Sequence, residues 1–290
     1  NDRLDVLLRV GYNAAMGGFV VDAHVHAWEM PSDRYPWSPL RNMRPQEPAT
    51  VELLLDTIQK HGVSKAIIVQ PSNYGYDHSY VVDCLARYPG RFGAVALLDF
   101  RADDAPQRLA TLVGRGIRGV RLYLYGESDL SWLGDRATHR VLEKTAELNV
   151  VVCVFGRWDM MQRVDLLVHQ HKMVNFVIDH LGHPDVQRQE TWRPILHLAD
   201  MPNVAIKVSD FPTLSRQPYP FTDVYPFVRR VYEVFTPSRM MWASNFPHIL
   251  HQAGYEAALK LIDIALPNLA AIERRQIMGE TAAKLWGLSI

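Results

Sequence analysis

Cysteine is scarce in this chain: Cys84 and Cys153 are the only two in 290 residues. Two thiols cannot build a disulfide framework or a thiolate metal cage, so a reducing, cytoplasmic setting is the expectation. Net charge is absent too, because 31 lysines and arginines meet 31 acidic residues. Without a basic excess there is no footprint for nucleic acid or an anionic membrane. No apolar run reaches the roughly 18 residues of a membrane span, and no signal peptide is recognisable. A glycine-rich phosphate loop after the first apolar run is missing as well, which removes support for dinucleotide binding. What is present is 48% apolar and 21% charged residues, enough for a sizeable core.

Residues 1–18 stand apart. Leu4, Leu7, Leu8 and Tyr12 recur at helical spacing and Gly17-Gly18 ends the segment, which reads as an N-terminal helical extension. Residues 19–290 read as a single domain. Apolar, strand-like runs lie at 19–26, 65–72, 92–99, 117–125, 150–156, 175–181, 204–210 and 240–245. Amphipathic stretches near 50–61, 78–87, 103–114, 135–148, 161–171, 191–199, 223–235 and 255–265 separate them, and a last helix is expected near 270–285. Eight alternations of buried strand and helix in this length predict an α/β fold, a (β/α)8 TIM barrel. A doubly wound open sheet is the alternative.

A barrel places its chemistry at the carboxyl ends of its strands. The first run, Val20-Val21-Asp22-Ala23-His24-Val25-His26, sets two histidines on one side of a strand. Such a pair holds a metal, polarises a substrate oxygen, or simply forms a wet strand face. Other ends supply Gln70 and Ser72, then Arg121, Tyr123 and Tyr125, then Cys153, Phe155 and Arg157. Asp179-His180-Leu181-Gly182-His183, then Lys207, Ser209 and Asp210, and finally Ser244-Asn245-Phe246-Pro247-His248 complete the set.

This ordered set resembles the amidohydrolase superfamily, in particular its amidohydrolase-related lactonase branch, which includes 2-pyrone-4,6-dicarboxylate lactonase, sulfomuconolactonase and fuconolactonase. The resemblance spans about residues 19–288. It rests on Asp22-x-His24-x-His26, Tyr35-Pro36-Trp37, Val69-Gln70-Pro71, Gly119-Val120-Arg121, Ile178-Asp179-His180-Leu181-Gly182-His183-Pro184 and the closing Ser244-Asn245-Phe246-Pro247-His248. It implies a hydrolase that opens a small lactone by attack of water, with His24, His26, Arg121, His180 and Asn245 as the catalytic set. It also implies a substrate pocket drawn from Trp28, Gln70, Ser72, Tyr123, Tyr125, Phe155, Arg157, His183, Lys207 and His248.

Two departures qualify the resemblance. Metal-dependent members carry a ligand on the fifth strand, where this chain offers only Cys153 and Phe155. A stable zinc site wants three or four protein ligands, and here only His24, His26 and His180 are to hand. The expectation is therefore a metal-independent enzyme without a cofactor, a divalent ion such as zinc being the alternative. In the family's eighth strand an aspartate serves as general base, but Asn245 occupies that place. An amide has no useful basicity at neutral pH. An introduced Asp-to-Asn exchange, another base such as His180, and loss of hydrolysis are the three explanations. A metal-dependent decarboxylase or a non-catalytic small-molecule-binding protein are the rival readings.

The bland alternatives are specific. Arg121 could pair with Asp22 or Asp179 inside the barrel, Lys207 could pair with Asp210 or meet a substrate carboxylate, and Arg157 could be a solvated loop residue. His183 and His248 could be plain loop residues, and Trp28, Tyr35, Trp37 and Tyr74 could merely pack long loops. The acidic stretch Tyr125-Gly126-Glu127-Ser128-Asp129 argues against a dianionic substrate and for a monocarboxylate or a more apolar, aromatic-derived lactone. Nucleic acid and membrane are not expected as partners; a homo-oligomer is left open.

Overall fold

The computed structural model describes residues 18–39 and 44–290. The helix read over residues 1–18 lies, apart from Gly18, outside the described residues. Eight parallel strands follow one another in sequence order: β1 (Val21–Val25), β2 (Lys65–Val69), β3 (Phe92–Leu97), β4 (Gly119–Tyr123), β5 (Val151–Phe155), β6 (Phe176–Ile178), β7 (Val204–Val208) and β8 (Met240–Trp242). Closure comes just past the strands, where the His26 N–H donates to the Phe246 carbonyl at 2.7 Å and the Asn245 N–H to the His24 carbonyl at 3.1 Å. These bonds complete a TIM barrel and set Asn245 beside the two histidines.

The strands are Val- and Ile-rich because both faces are buried. Val21, Ala23, Ile67, Val69, Val95, Val151, Cys153, Val177, Ala205, Met241 and Ala243 fill the barrel interior. The alternate residues face the helices: α1 (Val51–Lys60), α2 (Ser79–Arg87), α3 (Ala105–Gly114), α4 (Arg136–Glu147), α5 (Met161–Gln170), α6 (Arg193–His197), α7 (Tyr225–Phe235) and α8 (Tyr255–Ala265). In α1 the Thr50 side chain caps the Leu53 N–H, and Val51, Leu54, Leu55 and Ile58 form the buried stripe.

Two segments differ from the sequence expectation. The helix near 191–199 contracts to Arg193–His197, flanked by 3-10 turns. The closing helix near 270–285 breaks into α9 (Ala271–Arg275), a π turn (Gln276–Glu280) and α10 (Thr281–Trp286). The π turn steers α10 under the barrel, where Ala282, Ala283 and Trp286 join the interior cluster. Gly119 leaves room for this plug: a Cβ there would lie 3.1 Å from the Trp286 indole nitrogen. No helix of the described residues is long and apolar enough to cross a membrane.

Candidate active site

The mouth of the barrel is built on strained backbone. Among the described residues, eight non-glycine residues have positive φ, and five of them, His180, Leu181, His183, Asp210 and Asn245, follow β6, β7 and β8. Left-handed backbone costs such residues on the order of 1–2 kcal/mol each. Here it ends each strand abruptly and turns the next side chains toward the axis, which is why the strands stop short of the apolar runs in the sequence.

Asp179 is the centre of charge. It is fully buried and sits 2.9 Å from the Lys207 Nζ, 2.9 Å from the Arg121 Nε and 3.5 Å from the His24 Nδ1. Burial alone pushes its carboxyl up, but the two cations outweigh burial and hold it well below the usual carboxylate range. One buried carboxylate against two cations leaves a positive excess. The Arg121 guanidinium sits over the Phe155 ring, 4.1 Å from Cζ to centroid.

The imidazoles meet above this group. His24 and His26 approach Nε2 to Nε2 at 3.2 Å, and the His24 and His180 ring centroids are 4.4 Å apart. Burial, followed by the Lys207 charge, drops His24 to about 3. Burial and the neighbouring His24 hold His26 and His180 well below the usual histidine range. All three are therefore neutral at pH 7. The His26 Nδ1–H donates to the Val69 carbonyl at 2.8 Å, so its Nε2 carries a lone pair. His26 thus accepts at Nε2 and has no N–H left for a substrate oxygen.

Asp22 serves the frame. Its carboxylate accepts from the Ser244 N–H at 2.9 Å, the His24 N–H at 3.3 Å and the Tyr255 hydroxyl at 2.7 Å, tying β1 to β8 and α8. Burial pushes it up to about 6. Arg121 therefore takes Asp179, not Asp22, as its partner.

The five residues expected to be catalytic, His24, His26, Arg121, His180 and Asn245, do come together. Of the expected pocket residues, Tyr123, Tyr125, Phe155 and His183 form one aromatic wall. Tyr125 stacks on Phe155 at 5.1 Å, and Phe155 meets the His180 and His183 rings at 5.7 and 5.4 Å. His248 stands 5.8 Å from His26 and borders, with Trp28, a cleft of about 390 Å³.

Three expectations, for Lys207, Arg157 and Gln70, need correction. Lys207 is wholly buried beneath the histidines and pairs with Asp179, so neither a substrate carboxylate nor Asp210 is its partner. Arg157 points outward and pairs with Asp159 at 2.5 Å. The Gln70 amide donates to the Gly75 and Asp77 carbonyls at 3.2 and 2.6 Å and braces the loop after β2. Ser72, half-buried, opens a 3-10 turn over Ser72–Tyr74 in that same loop. The loop aromatics behave as packing: Trp28 donates to the Glu47 carbonyl, Trp37 to the Glu29 carbonyl, and Tyr35 to Asp83.

The donor set does not fit a catalytic zinc site. Two imidazole nitrogens 3.2 Å apart match the separation of about 3.3 Å expected for neighbouring tetrahedral ligands. A third ligand is wanting. Cys153 lies 3.7 Å from the Lys207 ammonium, and burial pushes its thiol up to about 12. Among the described residues no group of three histidine, cysteine or acidic side chains gathers at metal spacing, so His24, His26 and His180 do not form the trio considered from sequence.

Asp210 is the residue that sequence reasoning undervalued. The sequence places it among the polar residues at the strands' carboxyl ends, where the fold puts chemistry, but gives it no role beyond a counter-ion for Lys207. It is 8% exposed and accepts from the Asn245 Nδ2 at 2.9 Å and from the Thr213 hydroxyl at 3.0 Å.

Comparison with known proteins agrees with the fold. The family model described as Amidohydrolase matches residues 21–288, and the chain belongs to that family. It is similar to an L-fucono-1,5-lactonase of Burkholderia ambifaria, 27% identical with 79% of this chain and 80% of that protein covered. It is also similar to a 4-sulfomuconolactone hydrolase of Hydrogenophaga intermedia, 25% identical over 92% of this chain and 88% of that protein. In fold it matches a probable 2-pyrone-4,6-dicarboxylic acid hydrolase of Acinetobacter baumannii, TM-score 0.81 at 22% identity, covering 92% of this chain and 99% of that one.

Proposed function

We propose that the protein opens a small lactone by hydrolysis at the barrel mouth, without a metal ion. The observation that carries this reading is the buried cluster of Arg121, Lys207 and Asp179 under neutral imidazoles. Arg121 and Lys207, two buried cations with a single carboxylate between them, stabilise the oxyanion that forms when water adds to an ester carbonyl. The lactonase names of the distant relatives support the same class of substrate.

The carbonyl oxygen lies against Arg121 and His180. Arg121 spends its Nε–H on Asp179 and keeps its two NH2 groups for the oxygen. The Ser209 hydroxyl lies 2.9 Å from the His180 Nδ1 and can donate to it; in that tautomer the hydrogen is on Nε2, a second donor. His24 and His26 pack beneath and hold this geometry. The aromatic wall of Tyr123, Tyr125 and Phe155 takes the flat, apolar part of the ring. A monocarboxylate or aromatic-derived lactone suits it better than a dianion, because the loop beyond β4 carries Glu127 and Asp129.

The test is ring opening across a panel of sugar-derived and aromatic-derived lactones, with bound metal determined on the same samples. The expected result is opening of a monocarboxylate or aromatic-derived lactone at a rate unchanged by chelator. A rate that tracks stoichiometric zinc, or no opening of any lactone, would overturn it.

A further inference from the structure

We propose that Asp210, at the end of β7, is the general base that activates the attacking water, and that Asn245 positions it. The inference rests on the lactonase reading and supplies the base that the eighth strand lacks. β7 and β8 are neighbours in the barrel, and the Asn245 Nδ2 donates to the Asp210 Oδ1 at 2.9 Å. The carboxylate missing from position 245 therefore has a substitute one strand away, in hydrogen-bond contact with the residue that replaced it.

The surroundings of Asp210 point to an absent partner. Asn245 spends its amide N–H on Asp210, while its Oδ1 is buried with no hydrogen-bond partner. The His183 Nε2, 4.0 Å from the Asp210 Oδ2, is also buried and unpartnered. Buried polar atoms left unsatisfied in this way are costly, and native structures seldom keep them without a partner. A water held between them and the free oxygen of Asp210 would satisfy all three. The left-handed backbone of both residues, φ 62° at Asp210 and 61° at Asn245, is a further sign of a functional position.

The step balances. Water oxygen bonds to the lactone carbonyl carbon, its proton passes to the Asp210 carboxylate, and the carbonyl π pair moves onto the oxygen held by Arg121 and His180. Collapse of the adduct breaks the bond from that carbon to the ring oxygen. The proton on Asp210 passes to the leaving oxygen, giving the hydroxy acid and restoring the carboxylate. Basicity fits this role: burial pushes Asp210 up to about 6, so it is ionised at neutral pH yet more basic than a surface carboxylate. Of the charged and titratable groups that face it, Arg121 draws it down. His183, itself lowered to about 4 by burial and then by Arg121, is neutral throughout that range.

The experiment compares the native chain with Asp210→Asn, Asp210→Ala, Asn245→Ala and Asn245→Asp on the lactone panel, reading kcat/KM against pH and the melting temperature. Asparagine tolerates left-handed backbone, so Asp210→Asn should fold. The native protein is expected to lose activity below about pH 6. Asp210→Asn is expected to fall about 10²–10⁴-fold and to lose that limb, and Asp210→Ala to regain rate with added formate. Asn245→Ala removes a hydrogen bond that lowers Asp210 and should move the limb upward. A native-like rate and limb in Asp210→Asn would overturn the role of Asp210 and make His180 the lead. Activity confined to Asn245→Asp would return the base to position 245. If no protein opens any lactone, the lactonase reading fails and this role falls with it.

Discussion

Lys207 shows how one residue can carry opposite readings. In the sequence it is a lysine in an apolar strand, and a substrate carboxylate is a natural partner for it. In the fold it is fully buried, 2.9 Å from Asp179 and 3.3 Å from the His24 Nδ1. The two readings make different predictions for Lys207→Met. A substrate-binding lysine would raise KM and leave stability alone. A lysine buried with Asp179 should cost about 3 kcal/mol, the low end for breaking a buried pair, because Arg121 still compensates the carboxylate. Thermal or urea denaturation of the variant decides, and a melting temperature within a degree of the native value would count against the structural reading. Asp179 was legible only as one of two partners for Arg121, because pairing among buried charges depends on which strands adjoin, not on sequence distance.

Among the elements, the strands were the most legible part and their endings the least. All eight runs of Val, Ile and Ala became strands, since continuous apolar runs between amphipathic segments have few other buried solutions. The endings were hidden because they rest on histidine, leucine, aspartate and asparagine in left-handed backbone, where propensity alone expects glycine. The broken closing helix was hidden for a similar reason: its register change serves a tertiary contact. Gly279 lies in the π turn so close to β1 that an added Cβ would stand 2.2 Å from the Phe19 carbonyl oxygen. Backbone cannot yield there as a flexible side chain could. Gly279→Ala should therefore destabilise the protein by about 1–3 kcal/mol, the usual cost of overpacking, and should loosen the Trp286 plug. Tryptophan fluorescence alongside denaturation would report both, and an unchanged midpoint would show that the turn can shift.

At the scale of the whole molecule, the same burial that keeps the site's imidazoles neutral makes the barrel sensitive to acid. His24 is lowered to about 3 and His78 and His183 to about 4, with His26 and His180 also well below the ordinary value near 6.5. Burial is the first cause in each. A histidine lowered in the folded state contributes stability that is complete above its unfolded pKa and is lost as pH falls toward the folded value. Asp179, held low by Lys207 and Arg121, acts in the same direction at lower pH. Asp22 and Asp210, raised to about 6, oppose it: they favour the folded state as pH falls through 6. For these five histidines and two aspartates alone, near pH 5 the unfolded chain gains five imidazole protons, against two carboxyl protons gained by the folded one. The difference of three protons, at about 1.4 kcal/mol per proton and pH unit, corresponds to a stability loss on the order of 4 kcal/mol per pH unit. Melting temperatures should therefore hold above about pH 6.5 and drop steeply between pH 6 and 4.5. A flat or rising profile over that window would mean that the buried imidazoles are already protonated in the folded protein, and the neutral site on which the proposed chemistry depends would have to be abandoned.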